Sequence, residues 1–298
     1  MTVFPTKSLS DNIIIYIFQF VLYNIMKTNN CSLSALEESK RKNGICYSDT
    51  IINKFITDVM HEKTTDNIIE NVAIINKYMK NKYGCKDQLC WPKYEKYFGD
   101  EAKKKLLPKA RWTKKNRLIS NIDISNVMKQ YEDYNKNFKY LGDFDHDVVI
   151  IDKDRDELLK RLEESKDYGY RAIVVSLWGE EWKHLNHWTI IWLDSKQNLI
   201  LFYDSDAGVK TRYEIAPLID MLHKNTEGLY KLYRYSLVMT QYDYEHCGLF
   251  TIHFIHKLLI DGYTFDKYIN ELLNEIDNGK ETYYEYIMSL RKKYFIIE

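Results

Sequence analysis

The spacing of apolar residues changes period near Gly142. Before that point they recur at helical intervals: SDTIINKFITDVMHE (48–62) and DNIIENVAIINKYMKNKYG (66–84) each place one apolar stripe on a 3.6-residue repeat. Ser34-x-x-Glu37 fits a capping box opening ALEESKRKN, with Gly44 as its stop. In RLISNIDISNVMKQYEDYN (117–135), Asn121 or Asp123 is placed to cap a helix whose apolar face carries Ile124, Val127, Met128 and Tyr131. After Gly142 short β-branched runs take over. VVIID (148–152) and RAIVVSLW (171–178) read as strands on either side of a helix DELLKRLEES (156–165), and WTIIWLD (188–194) and NLILFYD (198–204) as two strands joined by Ser195-Lys196-Gln197. YEIAPLIDMLHK (213–224) reads as a helix, LYRYSLVMT (232–240) as a strand, and 248–261, 265–277 and 281–294 as helices. The order predicts an α+β protein with a mixed central sheet flanked by helices. The division expected is a mostly helical N-terminal extension, 1–115, and a second domain, 116–298.

Composition narrows the function classes. Lys+Arg and Asp+Glu are 43 each, so the net charge of zero argues against general nucleic-acid binding. The Lys-rich stretch 102–117 reads as a solvated face, with contact to nucleic acid or an acidic partner as the alternative. IIIYIFQFVLYNIM (13–26), interrupted by Gln19 and Asn24, is shorter than the roughly 20 residues a membrane span needs and reads as a buried amphipathic helix. Five cysteines, an odd number without a dense framework, read as free thiols in a reducing compartment. Cys85-x4-Cys90 lacks the second ligand pair of a zinc site and reads as a turn with buried thiols beside Trp91. No metal or organic cofactor is expected.

One stretch carries candidate chemistry. In QYDYEHCGLFTIH (241–253) a polar run ends at Cys247-Gly248 and an apolar helical segment follows at once. A thiol in the first turn of a helix meets outward-pointing N–H groups and a dipole that favours the thiolate, the nucleophilic form. Gly248 leaves room for a substrate backbone to approach. Among the histidines, His253 and His256 lie inside the apolar helix and read as core or surface groups, and His246 points away from the thiol along the chain. His184 and His187 lie in WKHLNHW, and His187 abuts a strand, where a rigid element fixes the ring. Asp204 closes the next strand, so an antiparallel pair joined by a short turn brings His187 and Asp204 side by side at its open end. Asp206 is a rival, whereas Asp194 falls at the turn end. Gln241, six residues before Cys247, is within reach of an oxyanion hole shared with the Cys247 backbone N–H.

His187-Trp188, Tyr203-Asp204-Ser205 and Gln241 six residues before Cys247-Gly248 together resemble the ubiquitin-like-protein (SUMO-type) cysteine proteases. That family includes the adenovirus protease and the core proteases of large DNA viruses. GCKDQLC (84–90) and LISNIDISNVM are similar to the viral maturation enzymes of the African swine fever virus and poxvirus type. The resemblance implies a papain-like or adenain-like fold and four roles: His187 as base, Asp204 as its orienting carboxylate, Gln241 as oxyanion donor and Cys247 as nucleophile. It gives Trp188 and Gly248 a place in substrate binding, the indole forming a narrow tunnel that admits Gly-Gly. The activity it implies is a thiol endopeptidase that cuts viral structural precursors after Gly-Gly or Ala-Gly during virion maturation, in the virion or the viral factory of the host cytoplasm. The alternative is a deconjugase acting on SUMO or ubiquitin-like conjugates. Where the family usually has an acidic residue directly before the nucleophile, this chain has His246, with Glu245 one earlier.

Overall fold

The computed structural model describes residues 31–32, 45–85, 88, 90–98, 107–108, 118–177, 187–207, 209–226, 230, 232–235, 238–276 and 280–295. The expected helices at 13–26 and 35–43, and nearly all of the Lys-rich stretch 102–117, lie outside those residues. The chain divides into two compact units, Met1–Leu107 and Pro108–Glu298.

In the first unit, α1 (Asp49–Asp58) and α2 (Ile68–Tyr83) follow the two apolar stripes, and a short α3 (Trp91–Tyr94) precedes a 3₁₀ turn. Ser48 and Asn67 cap the two long helices, and Gly84 ends α2 in the left-handed conformation. The core gathers Ile52, Phe55, Ile75 and Met79 around a stack of Tyr47, Trp91 and Phe98. The free-thiol expectation is overturned here. Cys31 bonds Cys46 and Cys85 bonds Cys90, leaving Cys247 as the free thiol of the five. Spacing could not reveal this, because the first pair is 15 residues apart and meets only when the core places the two Cα atoms 4.9 Å from each other.

The second unit opens with α4 (Asn121–Tyr134). Its cap is Ser120, not Asn121 or Asp123: the Ser120 Oγ accepts from the Asp123 N–H, and the Asp123 carboxylate accepts from the Ser120 N–H. Ser120→Ala is expected to lower stability by about 1 kcal/mol in urea denaturation, since it leaves the first turn without its side-chain acceptor.

A five-stranded mixed sheet follows: β1 (Phe138–Asp145), β2 (Tyr170–Leu177), β3 (His187–Asp194), β4 (Leu199–Tyr203) and β5 (Leu232–Tyr235), in that spatial order. The pairs β1–β2 and β4–β5 are parallel, and the two between them antiparallel. The strand expected at 148–152 is instead a turn leading into α5 (Asp152–Glu164), and β1, which was not expected, supplies the edge. Its sequence FKYLGDFD reads as polar because an edge strand need not be buried on both faces. At Gly142 the register slips and φ is 118°, and a side chain there would collide with the Arg161 guanidinium that donates to the Leu141 carbonyl. The fifth strand is shorter than the run 232–240 from which it was expected.

Strands β2 and β3 are buried along nearly their whole length because helices cover both faces. Ile173, Val175, Ile191, Leu193, Ile200 and Phe202 point to one side, where α5 and α6 (Val209–Asn225) add Leu158, Leu162, Ile215 and Leu218. On the other side Tyr203 stacks on Phe254 of α7 (Cys247–Leu259), and Trp192 stacks on Phe138. The helices α8 (Phe265–Ile276) and α9 (Lys280–Tyr294) complete the unit. Helix α7 is apolar almost all round, as a helix enclosed in the core must be, and that burial fixes the position of its first residue.

Candidate active site

That first residue is Cys247, and it is buried. The preceding loop is stitched by Asp243, whose carboxylate accepts from the N–H groups of Glu245 and His246 and from Nδ1 of His246. The His246 hydrogen bond holds the Asp243 carboxyl below its usual range against the opposing effect of burial. His246 therefore orders the entry to α7, its Nδ1 committed to Asp243. His253 hydrogen-bonds Tyr294 and Tyr286, and His256 hydrogen-bonds Tyr131. Burial pushes both of these imidazoles well below their ordinary range, so they are neutral core groups.

Across α7, the β3–β4 hairpin does what its pattern predicts. Ile190 pairs with Tyr203 and Asp194 with Leu199, so the open end of the hairpin carries His187 and Asp204. The His187 Nε2 lies 2.6 Å from Asp204 Oδ1, both side chains buried. The rival carboxylates have other work. Asp194 accepts from the N–H groups of Lys196 and Gln197 at the turn, and Asp206 supports Asp204 by donating its backbone N–H to it, its own carboxyl pushed up by burial and by the Asp204 charge.

The imidazole also lies close enough to Cys247 for the thiol to raise its pKa. With Nε2 committed to Asp204, Nδ1 is the ring nitrogen left for the thiol. Burial alone would lower the pKa of His187, but the hydrogen bond to Asp204 and the nearness of Cys247, together with their charges, outweigh it and raise the value to about 10. At neutral pH the site thus favours an imidazolium, the partner a thiolate requires.

Gln241 is buried at the start of the same loop. Its Oε1 accepts from the Ser205 hydroxyl at 2.6 Å, and its Nε2 donates to the Asp243 carbonyl. Trp188, directly after His187, donates from Nε1 to the Ile119 carbonyl at 3.0 Å. A Cβ on Gly248 would stand 3.1 Å from Ile119 Cβ and 3.2 Å from Trp188 Cδ1, so the room a side chain would occupy is filled by these two residues. The structure brings His187 and Asp204 into direct contact, with Cys247 near enough to act on the imidazole, Gln241 tied to Ser205 beside Asp204, and Trp188 against Gly248. Sequence reasoning gave no role to Ser205, Asp243 or Ile119. The first was visible in Tyr203-Asp204-Ser205, and the second as an Asx-turn residue four positions before the helix.

With this geometry in place, comparison with known proteins becomes informative. The crystal structure of the ASFV pS273R protease superposes with a TM-score of 0.52 over 93% of this chain and 99% of that one, at 14% identity. Its selenomethionine form gives a TM-score of 0.55 over 91% and 97% of the two chains. The fold is that of the African swine fever virus protease. At such identity the likeness is one of fold alone. In sequence, the chain is 25% identical over 180 residues to "Putative thiol protease R355" of Acanthamoeba polyphaga mimivirus. The match spans 58% of this chain and 58% of the length of that relative. No protein-family model matches.

Proposed function

We propose that this protein is a cysteine endopeptidase of the SUMO-protease-like type that cleaves viral structural precursors after small residues, Gly-Gly or Ala-Gly, as virions mature. The observation that carries the reading is the buried line Asp204–His187–Cys247, with the thiol at the first turn of α7 and the imidazole held charged. The likeness to a mimivirus protein named as a thiol protease supports it.

In this reading the Cys247 thiolate attacks the scissile carbonyl carbon. The oxyanion that forms is met by the Cys247 backbone N–H, one of those a helix leaves without an internal acceptor, and by the Gln241 amide. The His187 imidazolium gives its proton to the departing amine as the C–N bond breaks. Water then attacks the thioester, His187 takes its proton, and the thiolate is released with the acid product. Asp204 holds the ring by Nε2 throughout, so the nitrogen facing the sulfur is always the same one. Trp188, fixed against Gly248 and Ile119 beside the nucleophile, would form the narrow tunnel that admits Gly-Gly in this reading.

Proteomic mapping of new N-termini tests this directly. Purified virion precursor proteins treated with the wild-type chain should gain termini that follow Gly-Gly or Ala-Gly, and the Cys247→Ala chain should produce none of them. Termini that appear equally with both, or that follow no small-residue motif, would refute it. Release confined to branched isopeptide conjugates would indicate a deconjugase.

A further inference from the structure

Residue 205 follows the carboxylate that orients the base, yet its side chain serves a different group. The Ser205 hydroxyl donates to Gln241 Oε1 at 2.6 Å, and its carbonyl accepts from the backbone N–H groups of Gln241 at 3.0 Å and Thr240 at 2.7 Å. Ser205 is 1% exposed. Both the main chain and the side chain of Gln241 are thus held by one buried serine.

A carboxamide has two nearly isosteric ends of opposite polarity, and turning it over exchanges a donor for an acceptor. An oxyanion is stabilised by the N–H end and repelled by the oxygen. At Gln241 the two ends meet partners of opposite character: Oε1 a hydroxyl hydrogen, and Nε2 the Asp243 carbonyl, which can only accept. A turned amide would face that carbonyl with its own oxygen, so the Asp243 carbonyl sets the orientation, while the Ser205 hydroxyl, able to donate or accept, holds the amide in place. Asp243 lies in the loop that leads into Cys247, so the N–H end of the amide is bound to that loop.

We infer that Ser205 is a positioning residue for peptide hydrolysis, whose hydroxyl, together with the Asp243 carbonyl, immobilises the Gln241 amide that serves the oxyanion. The inference rests on the proposed role of Gln241. It makes Asp204-Ser205 a single device at the end of β4, in which one residue sets the base and the next sets the oxyanion donor.

The test compares Ser205→Ala, Gln241→Ala and the double variant of the full chain, using a peptide that the wild type cleaves in the mapping experiment. Gln241→Ala is expected to lower kcat about 10²-fold, the typical loss for one oxyanion donor. Ser205→Ala should lower kcat roughly tenfold with KM unchanged, because the amide is loosened and not removed. The double variant should be no slower than Gln241→Ala, as expected when one residue acts through the other. Iodoacetamide reports the Cys247 thiolate without forming an oxyanion, so its rate should be the same in Ser205→Ala as in wild type. Ser205→Thr, which keeps the hydroxyl, should stay within about threefold of wild-type kcat. Losses that multiply in the double variant, a slowed alkylation, a folded but inactive Ser205→Thr, or a fully active Ser205→Ala would each overturn the role of Ser205. A fully active Gln241→Ala would instead overturn the oxyanion assignment, and the positioning role with it.

Discussion

Replacing Cys247 by Ala is expected to reduce peptide hydrolysis to the background, a loss on the order of 10⁴-fold or more, because no other group in the site can form the acyl intermediate. The same change should leave the fold intact. Cys247 is buried but carries a single sulfur, and α7 is held by Leu249, Phe250, Phe254 and Ile255 along the rest of its length. A thermal melt within a few degrees of wild type, beside absent cleavage, is the expected pair of results. Cys247→Ser should fare little better: it keeps the shape of the side chain, but an alcohol is far less acidic and less nucleophilic than a thiol, and a protonated His187 cannot take its proton. The other four cysteines sharpen the check, since both disulfides withdraw them from alkylation. One equivalent of iodoacetamide should label the native, unreduced chain, and the Cys247→Ala chain should take up none. Cleavage that persists in the alanine variant would remove the thiol mechanism altogether.

How far this site could be read from sequence depends on the range of each signal. The β3–β4 hairpin was legible because two β-branched runs and a short polar turn are local, and hairpin geometry converts a 17-residue separation into a contact. The helix following Cys247 was legible because its apolar run starts abruptly after a polar loop. What failed was non-local. The edge strand β1 hides in FKYLGDFD, where Gly142 and two aspartates obscure the alternation, while VVIID, the more β-like run, forms the turn before α5. Val148 there is buried by packing against the sheet and not by pairing within it. The pairing of Cys31 with Cys46 depends on how a core folds around Trp91 and Phe98, which no cysteine spacing encodes. Ser205 was in view the whole time, but a serine has no chemical signature until its partner is known. Asp243 differs: an aspartate three residues before the N-cap His246 is an Asx-turn candidate by type alone.

The second large effect should come from His187. His187→Ala is expected to lose about as much activity as Cys247→Ala, on the order of 10⁴-fold, and the two together no more than either alone, since nucleophile and base act as one unit. Asp204→Asn is the more informative variant, because it keeps the shape and removes the charge. In the wild type the His187 pKa is raised to about 10 although burial opposes it, and Asp204 supplies part of the rise. A raised value means that the charged ring stabilises the fold fully below about pH 6.5, the range of a free imidazole, and that this contribution disappears as the pH climbs through about 10. Activity carried by the imidazolium falls in the same direction, so the alkaline limb of kcat/KM should lie toward pH 10 in the wild type. Without the carboxylate, burial is opposed by Cys247 alone, and the limb should move to lower pH. An amide also donates as well as accepts, so it holds the ring less securely in one tautomer, and kcat at neutral pH should fall by about 10²-fold or more. A pH–rate profile of both proteins separates these effects. An alkaline limb unmoved in Asp204→Asn would mean that the 2.6 Å contact between His187 and Asp204 is structural and does not set the charge of the base.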